Sequence, residues 1–442
     1  MIASQPSLLL INPWIYDFAA YDFFARPLGL LYLAGWLRSL GAQIDLLDCL
    51  DMDHCRSGPF GSGRYPKEIV PTPAPLADVP RRFGRYGIKE ADFRARLARA
   101  EPPAAVLVTS LMTYWYPGVI AAIRLVKECL PGVPVILGGI YASLCPDHAR
   151  ARSGADLVLA GPWEIGLPPL LARLGLGGLA APPPAALDDL PYPALDLLKC
   201  LSYIPILTSR GCPLNCDYCA SRLLQPRYRR RRPEAVAAEL AHWQDTQGGL
   251  SDVAFYDDAL LWGAKEHLGV ILEELARQGR SFRFHTPNGL QAGLITREVA
   301  GMLKRAGFAT LRLGVETVAL EGGRLDRKLR PGELEAALAH LQEAGFAARE
   351  IGVYLLTGLP DQTELEVADS IRRVQELGAT PVLAHYSPIP GTKLWPRACA
   401  CSRYDLASEP LCHNNSVFPC QPQFSWTACT RLKRLARQGG LC

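Results

Sequence analysis

Between residues 203 and 386 the chain repeats one pattern six times: a short apolar run, then an amphipathic stretch of helix length. The runs fall at 203–208, 252–256, 283–286, 310–315, 350–355 and 382–386, with helical stretches at 233–247, 265–278, 297–306, 331–344 and 362–377. Strands that alternate with helices at this spacing pair in parallel, because a parallel crossover needs a dozen or more residues. Six strands fall short of the eight of a closed barrel, whose sites sit at the carboxyl ends of the strands. No helix is legible after the sixth run, because Pro388, Pro390 and Pro396 intervene.

The loop after the first run is Arg210-Gly-Cys-Pro-Leu-Asn-Cys-Asp-Tyr-Cys-Ala-Ser221. Cys212, Cys216 and Cys219 fall in the spacing C-x3-C-x2-C. Three thiolates this close on one loop can hold three irons of a [4Fe–4S] cluster and leave the fourth open, whereas an electron-transfer cluster takes four. An open iron suits a molecule that must bind the cluster directly. A zinc site and unrelated buried cysteines are the other readings, although zinc knuckles favour C-x2-C pairs with a second pair elsewhere.

Upstream, apolar runs at 8–11, 43–47, 106–109, 133–137 and 156–159 alternate with helical stretches at 28–40 and 117–130. This predicts a doubly wound, Rossmann-like parallel sheet, which binds ligands beyond the carboxyl ends of its strands. Asn12, Thr109, Ser110, Gly138, Gly139 and Gly161 lie at such ends. Residues 51–104, rich in Pro, Gly and Arg, read as a loop-rich insertion. Within it, Arg81-Arg-Phe-Gly-Arg-Tyr-Gly87 is either a solvated loop or the border of a site for an anionic substrate. Residues 175–192 read as a linker. The expected division is 1–190, 193–395 and a Cys-rich tail, 396–442.

A chain of 442 residues exceeds one ordinary domain. Its 47 basic and 43 acidic side chains leave a net charge of +4, too little to argue for nucleic acid or an anionic membrane. No apolar run reaches the ~18–20 residues of a membrane span, and no secretory signal is legible. The expectation is a cytoplasmic protein whose 14 cysteines serve metal binding or remain free thiols. Six of them, Cys399, Cys401, Cys412, Cys420, Cys429 and Cys442, lie in the tail with His413. Their irregular intervals favour free thiols over zinc or a second cluster.

C-x3-C-x2-C with Tyr218 before the last cysteine resembles the signature of the radical S-adenosylmethionine enzymes. Further phrases resemble that family's strand ends: Asp257-Asp258, Thr286-Pro-Asn-Gly289, Leu313-Gly-Val-Glu316, Thr357-Gly-Leu-Pro360 and Tyr386-Ser-Pro-Ile-Pro-Gly-Thr392. The resemblance implies a partial (β/α)6 barrel with Cys212, Cys216 and Cys219 on the cluster. It implies that Asp257, Asp258 and Glu316 orient S-adenosylmethionine, and that Tyr218, Asn288 and Gly358 line its site. A single acidic strand end is otherwise a helix N-cap. The basic run Arg227-Tyr-Arg-Arg-Arg-Arg-Pro233 leads into Arg231-Arg-Pro-Glu234, which resembles a phrase of one subfamily, so no nucleic-acid partner is expected.

In the first domain, Pro27-Leu-Gly-Leu-Leu-Tyr-Leu-Ala34, Val108-Thr-Ser110, Leu137-Gly-Gly-Ile140 and Gly154-Ala-Asp-Leu-Val-Leu-Ala-Gly161 with Glu164 resemble the cobalamin-binding domain of that subfamily. The resemblance implies that Asn12, Thr109, Ser110, Gly138, Gly139 and Gly161 border cobalamin; glycines that merely make tight turns are the plainer reading. The motif D-x-H-x-x-G is absent: Asp51-Met-Asp-His54 has the wrong spacing, and His148 does not follow the first strand. This implies cobalt without a histidine ligand, or a domain that has lost cobalamin. The implied function is methyl transfer to an unactivated carbon through a 5′-deoxyadenosyl radical and methylcobalamin, with electrons from a flavodoxin, ferredoxin or reductase. A non-methylating cyclase or rearrangement enzyme of the same build, and a non-catalytic cobalamin or redox sensor, are the alternatives. The organic substrate is left open.

Overall fold

The computed structural model describes residues 5–50, 63–318, 328–421 and 425–438. The chain divides into two units, Met1–Ser202 with Leu406–Val417, and Tyr203–Asp405 with Phe418–Cys442.

Five parallel strands organise the first unit: β1 (Ser7–Asn12), β2 (Gln43–Asp48), β3 (Ala105–Val108), β4 (Val135–Leu137) and β5 (Leu157–Val158). They stand in the order β5-β4-β3-β1-β2. The longer helices are α1 (Leu28–Ser39), α2 (Glu90–Arg99), α3 (Tyr116–Cys129) and α4 (Trp163–Arg173), and the short helices Ile140–Leu144 and Pro146–Arg152 follow β4. Successive residues of β1 face opposite ways, as the two-residue period of a strand requires. Leu8 and Leu10 pack with α1 and α4, while Leu9 and Ile11 pack with α2 and α3. A sheet covered on both faces needs continuous apolar strands, and Leu-Leu-Leu-Ile is one. The chain turns to one side from β1 to β2 and to the other from β3 onward. The topological switch therefore lies between β1 and β3, at Asn12 and Thr109.

Two expectations need correction. The insertion is folded over its described part, 63–104. Ile15–Asp17, Gly84–Tyr86 and Lys67–Ile69 form a three-stranded antiparallel sheet, and α2 follows. Arg85 is only 8% exposed and bridges Glu68 at 2.6 Å and Glu90 at 3.0 Å, so the middle of the basic run, Gly84–Tyr86, is a buried strand, while Arg82 stays exposed. Strands of three residues are too short to show alternation in sequence. Residues 51–62, with Asp51 and His54, lie outside the described residues. Nor is 175–192 a free linker. Leu179, Leu187 and Leu190 are buried, and a side chain on Gly35 of α1 would meet the Tyr192 carbonyl at 2.3 Å.

The second unit is built on β6 (Ile204–Ile206), β7 (Asp252–Phe255), β8 (Arg283–His285), β9 (Phe308–Glu316), β10 (Ile351–Thr357) and β11 (Thr380–His385), all parallel and side by side in chain order. Phe255, Phe284 and Phe308 from three neighbouring strands pack ring against ring. The covering helices are α5 (Pro233–Thr246), α6 (Val270–Arg277), α7 (Arg297–Ala306), α8 (Glu333–Glu343) and α9 (Glu364–Glu376). The helix missing after β11 comes from the tail. α10 (Trp426–Gln438) lies against β11 and α9, with the Gln375 amide donating to the Leu435 carbonyl at 2.8 Å.

The tail is thus no separate body. Its segment Leu406–Val417 belongs to the first unit. There Asn414 Nδ2 donates to buried Asp17 at 2.9 Å, and the Tyr116 hydroxyl donates to Glu409 at 3.0 Å. The His413 ring is hydrogen-bonded to Thr113 Oγ1 at 2.9 Å and to the Leu406 carbonyl at 2.8 Å. Burial holds this imidazole down at about 4.

Two outcomes follow from this packing. Above pH 6.5 His413 is neutral whether folded or unfolded. As pH falls from 6.5 toward 4 only the unfolded state takes up the proton, so acid destabilises the docked segment by on the order of 3 kcal/mol. Hydrogen exchange of 406–417 at pH 7 and pH 4.5 should show protection falling, and equal protection would contradict this. In α3, Gly118 presses on Trp14, whose carbonyl would lie 1.9 Å from an added Cβ. Alanine in a helix normally gains up to ~1 kcal/mol over glycine. Here Gly118→Ala should instead cost about 1–3 kcal/mol in urea unfolding.

Candidate active site

The three-cysteine loop leaves β6 through a neck that is held from every side. Ser209–Arg210 pairs antiparallel with Arg229–Arg230, so the loop is pinched at its base. Gly211, at φ +83°, sits where a side chain would strike the Arg227 carbonyl at 2.7 Å, which is why glycine precedes the first cysteine. Arg231 donates to the Leu207 carbonyl at 3.1 Å and forms a buried ion pair with Glu239 at 2.6 Å. The basic run is therefore one side of this neck.

Asp257 grips the other side. Its buried carboxylate accepts the Thr208 amide at 3.0 Å, the Thr208 hydroxyl at 2.7 Å and the Ser209 hydroxyl at 2.6 Å. Burial raises the carboxyl, and these donors oppose the rise. With its oxygens spent on three donors, Asp257 holds the loop and does not face an incoming ligand. Asn288 behaves similarly, donating to the Tyr256 and Asp257 carbonyls at 2.9 and 3.2 Å. Gly289 permits this, because its missing side chain would strike Gly314 at 2.9 Å. Leu290–Gln291 can then lie along β9.

Within the loop, Cys216 is buried and Cys212 and Cys219 are half-buried, all as free thiols. The Ser221 amide points at Cys219 Sγ from 3.4 Å, and the Leu214 amide is hydrogen-bonded to the Cys212 sulfur. Backbone N–H groups aimed at sulfur suit thiolates on a cluster. Burial raises the Cys212 thiol; Asp258 and Cys219 push it the same way, and Lys328 opposes them.

Around the loop stand groups that can take a zwitterion. Asp258 is exposed at the rim, its carboxyl raised by the crowding walls against a hydrogen bond from Ser221. Glu316 ends β9 at φ +67°, beside a register shift against β10. Strain of this kind in a non-glycine residue collects at functional sites. Lys328, which sequence reasoning missed, meets Glu316 at 2.9 Å and lies 5.4 Å over the Tyr218 ring. No motif spacing marks Lys328, which only folding brings to the rim. Gln291, also missed, donates to the Asp258 carbonyl at 3.3 Å and leaves buried Oε1 without a hydrogen-bond partner. The Leu394 amide, after the Pro-Gly-Thr phrase, donates to the Asp217 carbonyl at 2.8 Å and ties the end of the barrel to the loop. Gly358 stands apart from this group, under the Phe418 ring.

The strand ends of the first unit sort into floor and opening. Asn12 is 1% exposed and donates to Asp48 at 2.7 Å, so it fixes the β1 and β2 ends to each other. Buried Ser110 donates to the Gly138 carbonyl at 2.6 Å, and Gly139 (φ +91°) lacks a side chain because one would strike Ser110 at 2.3 Å. Thr109 is half-buried at the switch point. Gly161 faces open space, and Gly138 meets only the Leu159 side chain, 3.9 Å from an added Cβ. Both positions could carry a Cβ without a clash, although Gly161, at φ +88°, has a backbone conformation that favours glycine. His148 is occupied: its Nδ1 is hydrogen-bonded to the Tyr141 hydroxyl at 2.7 Å, and its ring abuts Tyr116.

Residues 206–374 match the radical SAM superfamily. An uncharacterized methyltransferase of Pyrococcus horikoshii, PH0819, is 26% identical over 342 residues, covering 69% of this chain and 72% of the relative. The hopanoid C-3 methylase of Methylococcus capsulatus is 28% identical over 314 residues, 63% of this chain and 58% of that one. In fold, the chain is similar over 90% of its length to the radical S-adenosylmethionine methyltransferase TsrM of Kitasatospora setae, solved with cobalamin and a [4Fe–4S] cluster. That likeness has a TM-score of 0.64 at 17% identity and covers 75% of the TsrM chain. TsrM with tryptophan and an S-adenosylmethionine analogue gives 0.65 at 18% identity, covering 76%.

Asp257→Asn would turn an amide N–H toward the Thr208 and Ser209 donors. It should cost about 2–3 kcal/mol and lower the iron bound per chain after anaerobic reconstitution. Asp258→Asn, at the exposed rim, should leave the urea midpoint in place. Equal midpoints for the two variants would remove the anchoring role.

Proposed function

Because the chain belongs to the radical S-adenosylmethionine superfamily, we propose that it is a cobalamin-dependent methyltransferase acting on an unactivated carbon. The observation that carries this reading is the doubly wound five-stranded sheet, with Thr109, Gly138 and Gly161 at its strand ends, ahead of a three-cysteine barrel in one chain. When bound, the cluster with S-adenosylmethionine supplies a 5′-deoxyadenosyl radical, and cobalamin supplies the methyl carrier.

The residues divide into those that hold and those that position. Cys212, Cys216 and Cys219 would hold the cluster, with the Leu214 and Ser221 amides offsetting charge on two of the sulfurs. Asp258 and Glu316 are acceptors for the ammonium of S-adenosylmethionine, and Lys328 is a donor for its carboxylate. Tyr218 offers a ring face, and Gln291 Oε1 a buried acceptor. Asp257, Asn288 and Arg231 fix the backbone that carries these groups. In the first unit Gly138, Gly161 and Thr109 would border the corrin, while Asn12 and Ser110 hold the strand ends in place. With its Nδ1 engaged by Tyr141, His148 would not serve as a cobalt ligand through that nitrogen. Among the described residues no helix is long and apolar enough to cross a membrane. The electron donor is of the flavodoxin or ferredoxin kind.

Anaerobic isolation after growth with cobalamin tests this reading. Cobalamin should co-purify, and turnover should yield S-adenosylhomocysteine together with 5′-deoxyadenosine. A spectrum with cluster absorption alone, or 5′-deoxyadenosine without S-adenosylhomocysteine, would sink it. Lys328→Met and Glu316→Gln should each weaken S-adenosylmethionine binding about tenfold, ~1.4 kcal/mol, as read by equilibrium titration.

A further inference from the structure

The second unit brings together tail cysteines that sequence spacing leaves scattered. Cys401 ends the short helix Trp395–Cys401, and Cys420 stands where the chain re-enters the unit. Cys401 Sγ donates to the Ala398 carbonyl at 3.6 Å and to the Cys420 carbonyl at 3.5 Å. Cys420 Sγ donates to that same Ala398 carbonyl at 3.8 Å. Each thiol also feels the other electrostatically, and, beyond burial, the Cys401 sulfur pushes the Cys420 thiol up. The backbones beside them are joined, since the Arg403 amide donates to the Pro419 carbonyl at 3.2 Å. The Arg403 guanidinium adds bonds to the Phe418 and Gln421 carbonyls at 3.4 and 3.3 Å. Both cysteines border a cavity of about 500 Å³, with Cys429, His385 and Phe418 among its other walls. Two thiols that share one carbonyl partner beside a cavity have both the neighbour and the approach route that thiol–disulfide exchange needs.

We propose that Cys401 and Cys420 are a redox-active dithiol that closes to an intrachain disulfide. One thiol loses its proton and attacks a small-molecule disulfide such as oxidised glutathione, releasing one glutathione thiol. The second cysteine displaces the other glutathione from the mixed disulfide. In sum the pair loses two electrons and two protons, one S–S bond forms, one breaks, and two glutathione thiols are released. Disulfides demand Cα atoms within about 7 Å, and the Arg403–Pro419 backbone bond already draws the two strands together. The ring so closed contains Leu406–Val417, the segment that the first unit holds through Glu409, His413 and Asn414. Oxidation would therefore lock the neck through which the chain leaves the second unit and returns. Burial raises both thiols, so closure is slow and needs oxidant in excess.

The full chain with its cluster reconstituted is incubated anaerobically with excess oxidised glutathione, alkylated and digested without reductant. One cross-linked peptide pair should appear, joining Cys401 to Cys420 and lighter by two hydrogens. Trypsin cleavage inside the ring should leave the flanking fragments joined until a reductant is added. Cys401→Ser and Cys420→Ser should each abolish the cross-link, and Cys429→Ser should leave it intact. Stable glutathione adducts on Cys401 or Cys420 without a cross-link would overturn the proposal, as would a bridge from either to Cys399 or Cys429. Because the readout is a mass and not turnover, it stands apart from the proposed methyl transfer.

Discussion

A single buried carboxylate governs the geometry of the candidate site. Asp257 closes on the Thr208 amide and on the Thr208 and Ser209 hydroxyls where β6 ends and the cysteine loop begins. A charge so deep is tolerable only when its oxygens are satisfied, and satisfying them locks the backbone it grips. The Arg231–Glu239 pair does the same from the opposite side through the Leu207 carbonyl. A cluster loop must keep its sulfurs in place while the chemistry proceeds beside it. Support of this sort, outside the layer that touches a ligand, is what holds such a constellation in register. The rim groups Asp258, Glu316 and Lys328 are left available to a ligand because Asp257 and Asn288 take the structural work.

The first unit follows the same division with weaker charges. Asn12 with Asp48, and Ser110 with Gly138 and Gly139, knit the strand ends into a floor. The glycines look alike in sequence and differ in purpose. Gly139 is demanded by the Ser110 backbone, whereas Gly161 is favoured by its own φ of +88° with no protein atom near an added Cβ.

Much of this was legible beforehand, for physical reasons. Continuous apolar runs as short as residues 8–11 suit strands covered on both faces, and six strand–helix alternations favour parallel pairing. The cysteine spacing confines three sulfurs to one loop. What escaped were features that depend on tertiary closure. The strands Lys67–Ile69 and Gly84–Tyr86 are too short to carry a period. Asp257 and Asp258 are adjacent and identical in sequence, yet opposite faces of the turn make one an anchor and the other a rim group. Lys328 reaches Tyr218 from 110 positions away. The helix that covers β11 begins after the chain has made its excursion to the first unit.

That last arrangement bears on how the chain is made. During synthesis β11 emerges long before α10, and its outer side stays uncovered until residues 426–438 have left the ribosome. In the interval the chain must also place Leu406–Val417 on the first unit. The second unit therefore completes its packing only after residues 406–417, which belong to the first unit, have been synthesised. A nascent chain stalled before residue 426 would lack the helix that completes the cover of β11, leaving apolar surface open to association.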